Sequence, residues 1–379
     1  DPFASLTLIG LVAFRDPPRP GVAEAIEDCR RAGVRVVMLT GDHPATALGI
    51  AREIGLIDDA SRRVVVGTEI DDVRRREGDE ALLSVPIFAR VDPAQKLELI
   101  ALHQRAGAVV AMTGDGVNDA PALRKADVGV AMGRRGTEVA RQASDLVLLD
   151  DAFESIVEAI RGGRVIFDNI RRFVFYLLSC NLSEVLLVCV AAAIGVDQPI
   201  LPLQILFLNL VTDVFPALAL AFGDGDPRVL LAPPRPPGES ILTRRHWIAL
   251  AGYGGLLATS VLFAFVEVTS LGASPSEAIT VAFLTLGFGQ VFHVIDLRRS
   301  GTRFWRSDLF SNRWLWGAVT LCAGLLIAAT HLEPLAIVLD LDSVGASSWG
   351  IVTAHSIAPS FLVTVVRGLE RRRARGGGR

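Results

Sequence analysis

The stretch Thr113-Gly114-Asp115-Gly116-Val117-Asn118-Asp119-Ala120-Pro121 follows directly after the apolar residues 108–112. A short apolar run that ends in glycine indicates a buried strand opening into a tight loop. Glycine lets the backbone approach a phosphoryl group closely, and the carboxylates of Asp115 and Asp119 are hard oxygen ligands. The stretch therefore predicts a loop that holds Mg²⁺ against a phosphoryl group. The alternative is a polar turn whose acidic residues cap the next helix.

Three further motifs accompany this loop along the chain. They are Asp16-Pro17-Pro18-Arg19, Thr40-Gly41-Asp42, and Phe88-Ala89-Arg90-Val91-Asp92-Pro93 with Lys96 following. In order and spacing the four motifs resemble the P-type cation-transporting ATPases, and the resemblance covers nearly the whole chain. It implies an ATP-driven ion pump whose cofactors are Mg²⁺ and ATP.

The composition divides the 379-residue chain, of which 51% is apolar, into two parts. Charged and apolar segments alternate up to about residue 164, and long apolar blocks with few charges follow residue 172. This change predicts a soluble α/β domain at residues 1–164 and a membrane domain at residues 165–379. A formal net charge of −3 gives no indication of a nucleic-acid partner, and the four cysteines show no paired spacing typical of a zinc site or disulfide framework.

Six apolar stretches of the second part are long enough, with their flanking residues, to cross a lipid bilayer. They lie at about residues 173–194, 201–222, 248–268, 278–297, 315–330 and 349–366. Arginines gather before the first span, between the second and third, between the fourth and fifth, and after the sixth. By the positive-inside rule this alternation places the soluble domain and both ends of the six-helix segment in the cytoplasm. The alternative is that these stretches are buried helices of a large soluble core. That alternative does not explain why the arginines gather in every second connection between them.

Polar residues recur at helical spacing in the first two spans. Asn181 and Glu184 lie three residues apart, and Asn209, Thr212 and Asp213 lie at i, i+3 and i+4. Two carboxylates at membrane depth, with no basic residue in either span, require a counter-ion, and such residues tend to mark ion pathways. We therefore expect these five residues to bind the transported cation. The alternative is that the acids are protonated and bond one helix to another.

Three other membrane residues bear on this site. Gln290 of the fourth span is a further oxygen ligand or else a packing residue, and Pro216 is expected to free backbone carbonyls near the cluster. The segments 181–184 and 209–213 resemble the cation sites of the calcium-pump branch, which implies Ca²⁺ or a similar hard divalent cation. Cys180 adjoins the cluster, but one sulfur among oxygen donors indicates a soft metal only weakly.

Strands and helices alternate in the first part, which predicts a parallel sheet with ligand loops at the carboxyl ends of the strands. We predict strands at residues 6–12, 35–39, 87–89, 108–112, 128–131 and 146–149, and a variable stretch between residues 55 and 85. We predict helices at residues 21–32, 44–54, 93–104, near 120, 137–143 and 153–161. A continuous helix over residues 161–173 would join this domain to the first span.

This layout resembles the haloacid-dehalogenase fold, a Rossmann-type fold that P-type pumps use as their phosphorylation domain. Phosphoryl transfer needs positioning and charge neutralisation by a metal, a lysine and backbone donors. The resemblance implies these roles: Asp115 for Mg²⁺, Asn118 for the phosphoryl oxygens, Asp119 for supporting the loop and its lysine, Lys96 for neutralising the transferred phosphate, Thr40 and Gly41 for contacting it, Asp42 for shaping the site, and Arg90 for the nucleotide.

One element of the family pattern is absent from the sequence. The string Asp-Lys-Thr-Gly-Thr, which contains the family's phosphorylated aspartate, does not occur. We therefore expect an incomplete phosphorylation domain and the carboxyl-terminal portion of a pump, inactive alone. Its missing amino-terminal part would supply the actuator domain, the nucleotide-binding domain and the first four helices. The alternatives are a membrane-anchored phosphatase-like protein and an inactive regulatory pump fragment.

Overall fold

The structure is a computed structural model that describes residues 7, 9, 10, 12, 17–58, 63–223, 225–297 and 312–376. The chain divides into two compact units. Unit 1 comprises Asp1–Gly162 and Arg228–Gly238, and unit 2 comprises Gly163–Pro227 and Glu239–Arg379. Asp16 and most of the predicted strand at residues 6–12 lie outside the described residues.

Unit 1 alternates short strands with helices. Its strands are β1 (Met38–Leu39), β2 (Val64–Val66), β3 (Ile87–Ala89), β4 (Ala111–Gly114), β5 (Val128–Met132) and β6 (Leu146–Leu148). Its helices are α1 (Val22–Arg31), α2 (Pro44–Glu53), α3 (Ile70–Glu77), α4 (Asp79–Leu83), α5 (Pro93–Arg105), α6 (Ala120–Lys125) and α7 (Glu138–Ala143).

The described strands form two parallel sheets, with orders β1-β3-β2 and β4-β5-β6. Leu39 is paired with Phe88 in the first sheet, and Gly114 with Ala131 in the second. Because neighbouring strands run parallel, the loops that follow them leave from the same edge of each sheet. The parallel pairing agrees with the sequence prediction, but the single predicted sheet is found as two, and β1 and β4 are edge strands.

The stretch between residues 55 and 85, which the sequence left without elements, contains β2, α3 and α4. Its charged residues hide a small apolar core in which Ile70 and Leu82 are buried. Arg74 secures the segment through ion pairs with Asp79, at 2.9 Å, and with Glu98. The many charged residues of this segment suggested a loop. In the structure they form ion pairs on the surface of packed elements, which is why the sequence analysis did not predict β2, α3 and α4.

Unit 2 is helical, and its first helix begins within unit 1. Its elements are α8 (Glu154–Ile194), α9 (Pro202–Leu208), a π-helical turn (Asn209–Asp213), α10 (Val214–Ala221), α11 (Arg244–Ser270), α12 (Pro275–Asp296), α13 (Arg313–His331), α14 (Glu333–Leu339) and α15 (Ala346–Gly376). Within the described residues, six helices are long and apolar enough to cross a membrane, which confirms the predicted number of spans. The 41-residue α8 is helical without a break from Glu154 through the predicted link at residues 161–173 to the end of the first span.

Candidate functional site

The start of α5 fixes the position of Lys96. A reciprocal capping box holds this start, because Gln95 N donates to Asp92 Oδ1 at 2.8 Å and Asp92 N donates to Gln95 Oε1 at 3.0 Å. Pro93 occupies the first helical position, where its fixed φ favours the helix. From the following turn, Lys96 Nζ reaches 2.7 Å from Asp119 Oδ1. The structure thus joins two sequence motifs that are separated by more than twenty residues.

Asp119 uses both carboxylate oxygens to hold the loop that follows β4. Oδ1 pairs with Lys96, and Oδ2 accepts the Gly116 N–H at 3.2 Å. A side chain at Gly114 would place its Cβ 2.6 Å from the Asp119 Cβ, so only glycine fits there. This is the supporting contact that the resemblance implied for Asp119, and its part in catalysis stays a prediction.

Asp115 presents its carboxylate at the carboxyl end of β4. Its carbonyl accepts the Thr137 N–H at 2.9 Å, which ties the loop to the start of α7. Its carboxylate is exposed and accepts no hydrogen bond from the described part of the chain. The side chain of Asn118 is exposed beside it in the same loop. An uncommitted carboxylate next to an amide is a donor set that fits Mg²⁺.

The loop that carries Thr137 is itself fixed by Asp151. The Asp151 carboxylate accepts the N–H of Arg134 at 2.9 Å and that of Arg135 at 3.0 Å. These bonds, the first of them most strongly, hold the pKa of Asp151 below its ordinary value. Arg19, from the first sequence motif, donates to the Asp151 carbonyl. The motif around Arg19 therefore helps to shape the loop that anchors Asp115.

The loops after β1 and β3 are hydrogen-bonded to each other. Val91 N donates to the Thr40 carbonyl, and Arg90 N donates to the Asp42 carbonyl, each at 3.1 Å. The Thr40 hydroxyl oxygen accepts the Asp42 N–H at 3.0 Å, so it closes the turn around Gly41. Arg90 adopts a φ of 48°, a strained value for a residue with a side chain. These contacts order the predicted phosphate and nucleotide residues of the first sheet.

The two groups of loops are brought near each other by packing. Leu39 of β1 and Met112 of β4 belong to one hydrophobic cluster. One group consists of residues 40–42 and Arg90, and the other of Lys96 and residues 115–119. In the described chain, however, no hydrogen bond or ion pair joins the two groups. The structure therefore assembles two half-sites: residues 40–42 with Arg90, which follow β1 and β3, and Lys96 of α5 with the loop after β4.

Five polar side chains from three helices meet inside unit 2. Gln290 Nε2 donates to Glu184 Oε1 at 2.9 Å, and Thr212 Oγ1 lies 2.7 Å from Gln290 Oε1. Asn181 Nδ2 donates to Asp213 Oδ2 at 3.2 Å. Asn181 is exposed in this chain, whereas the other four residues are at most 6% exposed. The structure thus brings together polar residues that the sequence predicted separately for the first, second and fourth spans.

The second span is interrupted at this cluster by the π-helical turn Asn209–Asp213. Because Pro216 has no N–H, the Thr212 carbonyl four residues earlier lacks its helical donor. The Tyr176 hydroxyl donates to this carbonyl at 2.6 Å, and the Cys322 thiol donates to the neighbouring Val211 carbonyl at 3.1 Å. Pro216 thus frees the Thr212 carbonyl, as expected, and this carbonyl accepts its hydrogen bond from Tyr176 instead. Single π-helical turns of this kind are frequent at functional sites.

Two oxygen atoms of the cluster are buried without an ordinary hydrogen bond from the described residues: Asn209 Oδ1 and Asp213 Oδ1. The two acids of the cluster, Glu184 and Asp213, are both buried. The described residues form no salt bridge to either acid, and they contain no group of three or more His, Cys, Asp or Glu side chains suited to a metal ion. Any cation here would rely on amide and hydroxyl oxygens as well as carboxylates, which are ligands that hard cations accept.

Tyr176 and Cys322 are the residues of this cluster that sequence reasoning missed. Tyr176 precedes Cys180 and Glu184 at i, i+4 and i+8, and this spacing could have placed it on the same helix face. No comparable signal existed for Cys322, because its partner is a backbone carbonyl of a different helix.

Known proteins match both parts of the chain. Residues 2–127 match the haloacid dehalogenase-like hydrolase family, and residues 197–370 match the family described as cation transporting ATPase, C-terminus. The class is therefore a membrane protein with a haloacid-dehalogenase-like domain and several transmembrane helices. The chain belongs to the P-type cation-transporting ATPases.

Individual relatives cover almost the whole chain. It is 39% identical over 94% of its length to a calcium-transporting ATPase of Bacillus subtilis, and 40% identical over 98% to a probable cation-transporting ATPase F of Mycobacterium bovis. It is 44% identical over 96% to the calcium-transporting ATPase 4, endoplasmic reticulum-type, of Arabidopsis thaliana. The chain spans only 40%, 41% and 32%, respectively, of the lengths of these three proteins.

Proposed function

We propose that this chain is part of an ATP-driven pump for Ca²⁺ or a similar divalent cation, driven by Mg²⁺-dependent formation and hydrolysis of an aspartyl phosphate. One observation carries the proposal: the acids Glu184 and Asp213 are buried between apolar helices, Asp213 Oδ1 and the nearby Asn209 Oδ1 are unsatisfied, and no basic side chain of the described residues pairs with either acid. A divalent cation resolves this electrostatic conflict, because it neutralises both carboxylates and supplies the missing partner. The relatives named as calcium-transporting ATPases support Ca²⁺ as the cargo.

The phosphoryl chemistry would take place where the two half-sites of unit 1 face a common substrate. The exposed Asp115 carboxylate would hold Mg²⁺, which when bound neutralises charge on the transferred phosphoryl group. Lys96 would direct its ammonium group to the same phosphoryl group from the rigid start of α5, with Asp119 keeping it in position. Thr40 and Gly41 would contact the phosphate from the first sheet, and Arg90 would bind the nucleotide.

The remaining parts of the pump would come from chain outside this sequence. β1 and β4 are edge strands that pack in one hydrophobic cluster, and we propose that a further parallel strand bearing the phosphorylated aspartate pairs between them. The nucleotide-binding domain, the actuator domain and further helices would complete the machine. Unit 1 and both ends of the helical segment would face the cytoplasm, where ATP is available.

Cation binding to the purified chain in lipid nanodiscs tests the pump proposal. With excess Mg²⁺ present to fill the Asp115 site, calorimetry should detect one saturable class of Ca²⁺ sites. Those sites should vanish when Glu184 and Asp213 are both replaced by their amides. A chain that binds no Ca²⁺, or whose binding survives the double replacement, would support the anchored phosphatase instead.

We also expect that the chain by itself forms no aspartyl phosphate, because the Asp-Lys-Thr-Gly-Thr string is absent from it. Incubation with ATP labelled on the γ-phosphate, acid quenching and gel electrophoresis should show no acid-stable label on the chain. Label that resists acid but is released by hydroxylamine would reveal an acyl phosphate and contradict this expectation.

A further inference from the structure

Two successive backbone carbonyls of the second span accept hydrogen bonds from side chains of other helices. The Val211 carbonyl accepts the Cys322 thiol of α13 at 3.1 Å, and the Thr212 carbonyl accepts the Tyr176 hydroxyl of α8 at 2.6 Å. All four residues are buried, each at most 4% exposed. Because buried carbonyls need hydrogen-bond donors, each of these two depends on a donor from within the protein.

Pro216 explains why both carbonyls need side-chain donors. Where a π-helical register returns to an α-helical one, a single N–H faces two carbonyls, those five and four residues before it. At position 216 these are the carbonyls of Val211 and Thr212, and proline has no N–H. The π-helical turn Asn209–Asp213 is followed directly by α10, so the register returns to the α-helical one beside this proline. The two side-chain donors thus replace an N–H that the backbone does not have.

The two donors differ in the register that they favour. In an unbroken α-helix the Val211 carbonyl would bond to the Phe215 N–H, so it needs the Cys322 thiol only in the π-helical register. In the same α-helix the Thr212 carbonyl would still face the proline and would still need Tyr176. The bond from Cys322 is therefore the contact that favours the π-helical turn over a regular helix.

We propose that Cys322 and Tyr176 are positioning residues of the cation cluster, and that the Cys322 bond keeps the second span in its π-helical turn. This inference rests on the proposed function, because the turn sets the rotation of Asn209 relative to Asp213. That rotation decides whether the unsatisfied oxygens of both residues face one cation. Neither positioning residue needs to touch the cation, since each acts through the backbone of the turn.

Three variants of the chain in nanodiscs separate the hydrogen-bond donor from the bulk of the side chain. Cys322→Ala removes the thiol, Cys322→Ser keeps a donor, and Tyr176→Phe removes only the hydroxyl. Ser356→Ala is the matched control, because the Ser356 hydroxyl also joins two spans by donating to a backbone carbonyl, that of Thr285 at 3.2 Å. This bond is buried but lies outside the π-helical turn, so the control shows what the loss of any such bond does.

Each variant is titrated with Ca²⁺ in excess Mg²⁺, and amide hydrogen exchange is followed at residues 209–215. Cys322→Ala should weaken Ca²⁺ binding about fivefold and speed this exchange, because the buried Val211 carbonyl then lacks its donor in the π-helical register. Tyr176→Phe should weaken Ca²⁺ binding by at least the same factor, since a hydroxyl is a stronger donor than a thiol. Cys322→Ser and Ser356→Ala should both stay within about twofold of the unchanged chain.

Three results would overturn the role of the Cys322 thiol. They are unchanged binding and exchange in Cys322→Ala, an equal loss in Cys322→Ser, and an equal loss in Ser356→Ala. Normal Ca²⁺ binding by Tyr176→Phe, which keeps the ring and tests the same turn even if Cys322→Ala fails to fold, would remove Tyr176 from the proposal. If the unchanged chain binds no Ca²⁺, the proposed function fails, and the exchange at residues 209–215 still decides whether the two donors hold the turn.

Discussion

Replacement of Asp213 with asparagine is expected to weaken Ca²⁺ binding by the nanodisc-embedded chain at least about thirtyfold. The substitution keeps the shape of the side chain but removes one of the two negative charges of the cluster. It also places an amide, which can present N–H donors, where a carboxylate with an unsatisfied oxygen stood. Removing one partner of a buried charge pair costs about 2 kcal/mol or more, which corresponds to this loss. Calorimetric titration with Ca²⁺ in excess Mg²⁺ measures it directly.

Glu267→Gln is the matched control, because it makes the same chemical change in another membrane helix. Glu267 is 51% exposed on α11, and its carboxylate lies 2.9 Å from His355 Nε2. Because Glu267 contacts none of the polar residues of the cluster in the described structure, the Ca²⁺ affinity should change by less than about twofold. An equal loss of Ca²⁺ affinity in both variants would mean that the net negative charge of the chain, and not the cluster, attracts the cation. An unchanged affinity in the Asp213 variant would remove this residue from the ion site.

The loop after β4 could be predicted closely because its chemistry is contiguous in sequence. The glycines, carboxylates and amide stand within nine residues, and the strand before them fixes where they emerge. The contact between Lys96 and Asp119 followed from a family resemblance and not from spacing, since the two residues belong to different elements. The parallel pairing was predicted correctly, but the division of the described strands into two sheets was not, because β1 and β4 each pair on one side only there, a property that local sequence does not encode.

The membrane cluster was predictable as a set of residues but not as a network. Helical spacing identified Asn181, Glu184 and Asp213, because acids and amides are rare in apolar spans. It could not show that Gln290 bridges Glu184 and Thr212, since that contact depends on how far each helix is rotated about its axis. The π-helical turn was also beyond prediction, because its residues are equally compatible with an ordinary α-helix.

Deletion of Leu210 is expected to weaken Ca²⁺ binding at least as strongly as Asp213→Asn, by about thirtyfold or more. A π-helical turn holds one residue more than an α-helical turn, so removing one residue lets the span close into a regular helix. Leu210 is the suitable residue, since its side chain is 65% exposed on the surface of the span. The deletion would rotate Asn209 by about 100° relative to Asp213. The same Ca²⁺ titration measures the loss.

Anchors on both sides of the turn prevent the span from absorbing this rotation. Gln204 Nε2 donates to the Leu339 carbonyl before the turn, and Asn312 Nδ2 donates to the Ala219 carbonyl after it. If the bond of Gln204 holds, Asp213 rotates out of the cluster, and if the bond of Asn312 holds, Asn209 does. Leu210→Ala changes the same side chain but keeps the residue count, and it should bind Ca²⁺ like the unchanged chain. If the deletion variant also bound normally, the π-helical turn would have no part in placing the ligands, and the oxygens of the second span would need a different role.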